Sequence, residues 1–265
     1  MTIDDQHHES AAAYAALARF YDLQHADYTP DAQMYLRFAA ECRARLGDAP
    51  ILELGCGTGR VMAPLIEAGY RVVGVDESPQ MLEIARQRLA DSSPALYQLI
   101  EGDARAIELL DKFGMSFVAL NTFLHNLTRE HQLAMLATAR RHLLPGGLLI
   151  IDLPPNDELA CQPDDGEFDY EATLVDPASD ALIDKYVASQ VRWAEQVQVL
   201  SYRVEEKTLT DTMTHEVSFR LRHVFKHEME LLLLMSGFLD WHWYGGYDLS
   251  PYTEDSPRMV VVAST

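Results

Sequence analysis

The sequence predicts an α/β protein built on a doubly wound, mostly parallel sheet, with an antiparallel β segment inserted late in the chain. Three observations predict this. Short apolar runs alternate with helical stretches through residues 49–155, the pattern of βαβ units. A strand-like Ile51-Leu52-Glu53-Leu54 runs into Gly55-Cys56-Gly57-Thr58-Gly59, a glycine turn that opens a helix. Residues 156–224 then change to period two: Phe168, Tyr170, Ala172 and Leu174 alternate with polar residues, as do Val217, Phe219, Leu221 and His223. At 265 residues the chain can bury a full core as one large domain or as a domain carrying an insertion.

Four segments follow in order. Residues 1–48 read as a helical cap, with helices over 9–23 and 31–46. Residues 49–155 are the alternating core. In its first unit, a turn without side chains lets a ligand lie against the backbone and reach the free N–H groups at the helix start. The spacing is not that of the dinucleotide fingerprint, whose third glycine would fall at Arg60. Glu53, an acid inside the strand, suits a ligand carrying an ammonium group. The second strand, Tyr70 to Asp76, also ends in an acid, with Ser78 placed as a helix N-cap and Pro79 as the first helical residue. A carboxylate at that strand end can accept both hydroxyls of a ribose, which makes Asp76, with Glu77 beside it, a candidate.

The third strand closes on Leu99-Ile100-Glu101 and leads to Gly102-Asp103-Ala104-Arg105. The fourth, Ser116 to Leu120, is followed by Asn121-Thr122-Phe123-Leu124-His125. Ligands in open α/β sheets bind at the carboxyl ends of strands, so Leu120 and Asn121 lie at the mouth of the site. A helix from about Thr128 to Leu143 is stopped by Pro145-Gly146-Gly147, and the fifth strand runs Leu148–Leu153. Residues 156–224 form the antiparallel insertion, with further strands over 181–191 and 195–206. Residues 225–265 complete the core. A helix runs from Lys226 to Ser236, Gly237 caps it, and strands follow at Leu239–Tyr244 and Met259–Ala263.

Glu53-Leu54-Gly55-Cys56-Gly57-Thr58-Gly59 resembles the first motif of the class I S-adenosylmethionine (SAM) methyltransferases, and the segments after it keep that family's order. The resemblance implies a Rossmann-like, seven-stranded sheet whose last strand is antiparallel. It implies that Glu53 and the loop Gly55, Cys56, Gly57 and Gly59 hold the methionine end of SAM. It places Met81 near the adenine, and Asp103 and the Ala104 N–H on the adenine edge. Met81 equally fits a core stripe with Leu82, Ala85 and Leu89, and Gly102-Asp103 equally fits a plain turn. Phe20-Tyr21-Asp22, the antiparallel insertion and Tyr244-Gly245-Gly246-Tyr247-Asp248 are similar to small-molecule N-methyltransferases of the glycine and deoxyamino-sugar types. That likeness implies a lid tyrosine, Tyr21, an insertion that covers the acceptor, and a homodimer.

Methyl transfer from a sulfonium needs an in-line acceptor with a free lone pair, and a base helps when that acceptor starts protonated. His125, just past strand four, is the candidate base, with a hydrogen-bonded helix-face histidine as the plain alternative. Arg220 and Arg222 point the same way along their strand. They can clamp an anionic acceptor group bidentately, or form a solvated face. Tyr244 and Tyr247 are candidate acceptor contacts or packing residues. Two rival functions share the same cofactor pocket: an enzyme that attacks the aminocarboxypropyl arm of SAM and releases methylthioadenosine, and a non-catalytic SAM-binding subunit.

The net charge of −20 opposes nucleic acid and anionic lipid as partners, because phosphate binding needs basic surface. No apolar run reaches the roughly 18 residues that span a bilayer. Met1-Thr2-Ile3-Asp4-Asp5 carries no leader signal, so a cytoplasmic location is expected. Cys42, Cys56 and Cys161 match no zinc spacing and read as reduced thiols. His223, His227 and Glu228 lack a further ligand, so no metal is expected.

Overall fold

The computed structural model describes residues 18–25, 30–155, 164–177, 179–208 and 211–265. The start of the first expected helix, the N-terminal residues read for a leader, and Cys161 lie outside the described residues. The chain divides into two compact units, one from Met1–Tyr28 and Asp157–His223, the other from Thr29–Asn156 and Val224–Thr265.

The larger unit holds a seven-stranded sheet. Its strands are β1 (Ile51–Leu54), β2 (Val72–Asp76), β3 (Tyr97–Glu101), β4 (Phe113–Val118), β5 (Leu143–Leu153), β10 (Asp240–Tyr244) and β11 (Met259–Ser264). The spatial order is β10-β11-β5-β4-β1-β2-β3. β1 to β5 pair in parallel, and β11 runs antiparallel to both β5 and β10. The expected doubly wound sheet with an antiparallel last strand is therefore present. β1 and β4 are buried along their whole length, as central parallel strands covered on both faces must be.

Helix α2 (Pro30–Leu46) lies on one face, where Met34, Tyr35 and Phe38 join Ile51, Met115, Phe117, Ile150 and Val260 in one cluster. Helices α3 (Met62–Glu67) and α4 (Pro79–Arg88) contribute Met62, Leu65 and Leu82 to the same cluster. α4 starts as its sequence predicts: the Ser78 hydroxyl accepts from the Met81 N–H at 3.3 Å and Pro79 opens the helix. Helix α5 (Arg129–His142) packs on β4 and β5 and touches α6 (Lys226–Met235); Thr128 caps α5 at its N-terminus.

The bounds of β5 and β4 depart from the sequence reading in ways that shape the site. β5 begins at Leu143, five residues earlier than expected, and runs through Pro145-Gly146-Gly147 instead of after it. Phe113 pairs with Leu143 while Met115 pairs with Leu148, so the tripeptide is absorbed as a bulge, with Gly146 at φ +78°. β4 ends at Val118, and Leu120 turns out of the strand with φ +51°. That conformation is uncommon for a branched residue and marks a constrained turn.

The smaller unit is an antiparallel meander of β6 (Asp169–Val175), β7 (Leu182–Arg192), β8 (Val197–Lys207) and β9 (Thr212–Arg222), in sequential order. A helix, α1, is described over 18–25. Its Phe20 enters a small core with Ile183, Val204 and Phe219.

Leu52 is fully buried in the central strand of the large unit. Leu52→Ala is expected to cost about 2–5 kcal/mol through lost burial and a residual cavity. Urea unfolding should show a lower midpoint with an unchanged slope.

Candidate functional site

Register brings three acids to one sheet face at the carboxyl ends of the strands. Glu53 on β1 lies beside Gly74 of β2 and Phe117 of β4. Asp76, two residues past Gly74, shares that face, and so does Asp152, two residues past the Phe117 partner Ile150. Below them the same face is apolar, so the acids crown a dry core.

Glu53 is 2% exposed, and its Oε2 has no hydrogen-bond partner. Burial pushes its carboxyl well above the usual range; Arg60 pulls it down, and Asp31 and Asp76 push it up. Arg60 itself pairs with the buried Asp31 at the start of α2, Nη1 to Oδ1 at 2.9 Å and Nη2 to Oδ2 at 2.6 Å. The residue that breaks the dinucleotide spacing thus ties the glycine turn to α2.

The turn is built by its glycines. Gly55, Gly57 and Gly59 all have positive φ, which glycine adopts without strain. The N–H groups of Gly55 and Cys56 both donate to the Val75 carbonyl, at 2.8 and 3.0 Å. A Cβ on Gly55 would collide with the Thr122 side chain, whereas one on Gly57 would meet open space. The loop is therefore pinned at Gly55 and open at Gly57. Asp76 holds it from β2: its Oδ2 accepts from the Gly57 N–H at 2.8 Å and its Oδ1 from the Ser78 N–H at 2.9 Å. Burial raises the Asp76 carboxyl, and those two N–H groups oppose the shift.

Asp103 follows β3, and its carboxylate accepts from Arg105 Nε at 2.8 and 3.0 Å. Arg105 also meets His131 Nδ1 at 3.0 Å and comes within 3.9 Å of Glu77. Ala104 and Met81 are buried, Met81 at the first turn of α4 alongside Leu82 and Ala85. Asn121 leaves its Oδ1 buried without a partner, and His125 ends the short 3-10 turn Thr122–His125. Glu53, the glycines, Asp76, Glu77, Met81, Asp103, Ala104, Leu120, Asn121 and His125 all belong to the large unit. Tyr21, Arg220 and Arg222 belong to the small unit, Tyr21 on α1 and the arginines on β9.

Tyr244 packs against the core cluster that includes Phe38. The Tyr247 hydroxyl donates to Asp152 Oδ2 at 2.8 Å. Asp152, which sequence reasoning left without a role, is fully buried and saturated. It also accepts from Arg258 Nε at 2.8 Å and from the Leu120 N–H at 3.2 Å, and it forms an ion pair with Arg258. Its signal was the one that exposed Glu53, an acid inside an apolar strand. Arg258, in the connection before β11, has no local signal.

His223 lies in the small unit, bonded to Gln198 at 2.9 Å, and burial lowers its pKa to about 4. His227 pairs with Glu230 in the large unit. Cys42 and Cys56 are buried free thiols. Among the described residues, no helix is long and apolar enough to cross a membrane.

Residues 51–147 match the methyltransferase domain family. That match supports a class I SAM-dependent methyltransferase enzyme. The cypemycin N-terminal methyltransferase of a Streptomyces species is 29% identical over 212 residues, covering 80% of this chain and 81% of that protein. A SAM-dependent methyltransferase from Clostridium acetobutylicum superposes with a TM-score of 0.78 at 18% identity, over 95% of this chain and 98% of that one. CalS10, a SAM-bound amino pentose methyltransferase from Micromonospora echinaspora, gives 0.69 at 20% identity, over 91% and 93%.

The residues of this methyltransferase fit its cofactor. The unsatisfied Glu53 oxygen calls for a donor bearing positive charge, the Gly57 side of the turn is open, and the Asp76 carboxylate ends β2. Because burial lifts the folded-state pKa of Glu53 above its unfolded value, wild-type stability falls as pH rises from about 4.3 through the folded value. Cofactor-free Glu53→Gln should therefore melt above wild type at about pH 7, with the difference closing as pH falls toward about 4, in a thermal scan across pH.

Proposed function

We propose that this methyltransferase moves a methyl group to the nitrogen of a small-molecule acceptor, with an oxygen acceptor as the second form of the same chemistry. The observation that carries the cofactor half of this reading is the buried Glu53 carboxylate, one oxygen unbonded, beside a glycine turn open at Gly57. The nitrogen preference rests on the cypemycin N-terminal and amino pentose methyltransferases to which the chain is similar.

SAM supplies a methyl group on a positively charged sulfur. Glu53 offers its open oxygen to the ammonium, and Gly55, Cys56, Gly57 and Gly59 shape the backbone around the methionine end. Asp76 uses one lone pair of one oxygen on the loop and one of the other on the Ser78 N–H; a carboxylate has about four acceptor positions, which leaves room for two ribose hydroxyls. Glu77 stands beside it. Asp103, held in orientation by Arg105, faces the adenine amino group, the Ala104 N–H the ring nitrogen, and Met81 the base plane. Leu120 and Asn121 border the reacting end. His125 takes the proton that an ammonium acceptor must lose before its lone pair is free. Tyr244 and Tyr247 recognise the acceptor, Tyr247 from its anchorage on Asp152, and the sequence offers Tyr21 as a lid residue and Arg220 and Arg222 as further acceptor contacts. Orientation of this kind can supply roughly 7–11 kcal/mol of the barrier. The same reading makes the enzyme a cytoplasmic homodimer with small-molecule partners, no metal and no nucleic acid.

Asp76→Ala is expected to weaken SAM binding by about 1–3 kcal/mol in titration calorimetry, because charged hydrogen bonds to the ribose are lost. Unchanged affinity would remove Asp76 from the site. Mass spectrometry of the enzyme with SAM and pooled amines and alcohols tests the reaction itself. S-adenosylhomocysteine appearing only with an acceptor, along with that acceptor's methyl mass gain, is the expected result. Methylthioadenosine formed without acceptor would overturn it.

A further inference from the structure

One side chain in the crown of acids has no part in the reading so far. Tyr35, on α2, is fully buried, with its ring 4.3 Å from that of Phe117, the strand neighbour of Glu53. Its hydroxyl has no hydrogen-bond partner. Burial pushes its pKa well above the ordinary value, and the charges of Asp152, Asp31 and Glu53 push it the same way, with Arg258 opposing. A buried hydroxyl left unbonded costs about 1–3 kcal/mol, and phenylalanine would fill the same space without that cost. The ring serves the core; the oxygen does not.

Charge pairing defines what the oxygen awaits. Asp31 is paired with Arg60 and Asp152 with Arg258. Among the described residues Glu53, like Asp76, has no ion-pair partner, and unlike Asp76 it has an Oε2 that is buried and unbonded. Two orphaned oxygens, one on a carboxyl group whose charge a cation would stabilise, call for a compact cation with more than one N–H. An ammonium has three, and a tyrosine hydroxyl has lone pairs to receive one.

We infer that Tyr35 is a further cofactor-positioning residue, whose hydroxyl accepts an N–H from the same ammonium group that Glu53 balances. The inference rests on the assignment of Glu53 to the ammonium end of SAM. It adds a second wall to that end, supplied by α2, so the amino group is held from the helix as well as from the sheet.

Tyr35→Phe in the full-length protein tests this by calorimetry with two ligands: S-adenosylhomocysteine, and methylthioadenosine, which has no amino-acid arm. Binding of the homocysteine compound should weaken about tenfold, as for one hydrogen bond to a charged group. Methylthioadenosine binding should not change, and the melting midpoint of the ligand-free variant should not fall. Equal losses for both ligands, no loss for either, or a lowered midpoint would each overturn the inference. Glu53→Gln measured in parallel separates the two assignments. If it alone weakens S-adenosylhomocysteine, the ammonium end is placed correctly and only Tyr35 is wrong. If neither variant does, the ammonium end itself is misplaced.

Discussion

A carboxylate inside a sheet covered on both faces loses its water and must find its compensation in the protein or in a ligand. The large unit places three acids in that situation along one face and resolves them differently. Asp152 accepts three hydrogen bonds and is ion-paired with Arg258, and Asp76 is bonded to two backbone N–H groups while keeping accepting capacity. Glu53 keeps an unbonded oxygen. The gradient from satisfied to unsatisfied separates scaffold from site: where the protein provides every donor, the acid is architectural, and where it withholds one, a ligand is expected.

The glycine turn depends on the same arrangement. Its left-handed residues are permitted by the absence of side chains, yet the conformation is held by Asp76 and the Val75 carbonyl from the neighbouring strand. The Asp31–Arg60 pair fastens the far side of the turn to α2. A buried pair of this kind contributes little net stability, because desolvation offsets attraction, but breaking one partner is costly. Its value here is positional, since the loop and the helix are held in one relation.

Most of the core was legible because its signals are local. Strand–glycine–helix order, the Ser78-Pro79 cap and the period-two runs each lie within a few residues, and the sheet and the antiparallel meander follow them. The departures come from distant partners. Pro145-Gly146-Gly147 has the chemistry of a stop, yet pairing with β4 draws it into β5 as a bulge. Tyr35 looks like any apolar-face aromatic until the strands opposite it are known to carry acids. Tyr247 reads as an acceptor contact or a packing residue, but its hydroxyl finds Asp152, 95 residues away in sequence. Arg105, by contrast, lies two residues from Asp103, and its grip was readable in principle from that spacing.

The span of the Asp152 contacts bears on how the molecule is made. Asp152 meets its arginine 106 residues further along the chain. Domains emerging from the ribosome tend to fold from the N-terminal side, at about 5–20 residues per second. β1 to β5 can therefore be synthesised and can begin to pair while Asp152 still lacks Arg258 and Tyr247. The turn at Leu120 is then held by an acid whose own partners have not yet been translated. The wall beside the cofactor end is completed only when Arg258 arrives, so a chain cut short of it would carry the recognisable motif without the finished pocket.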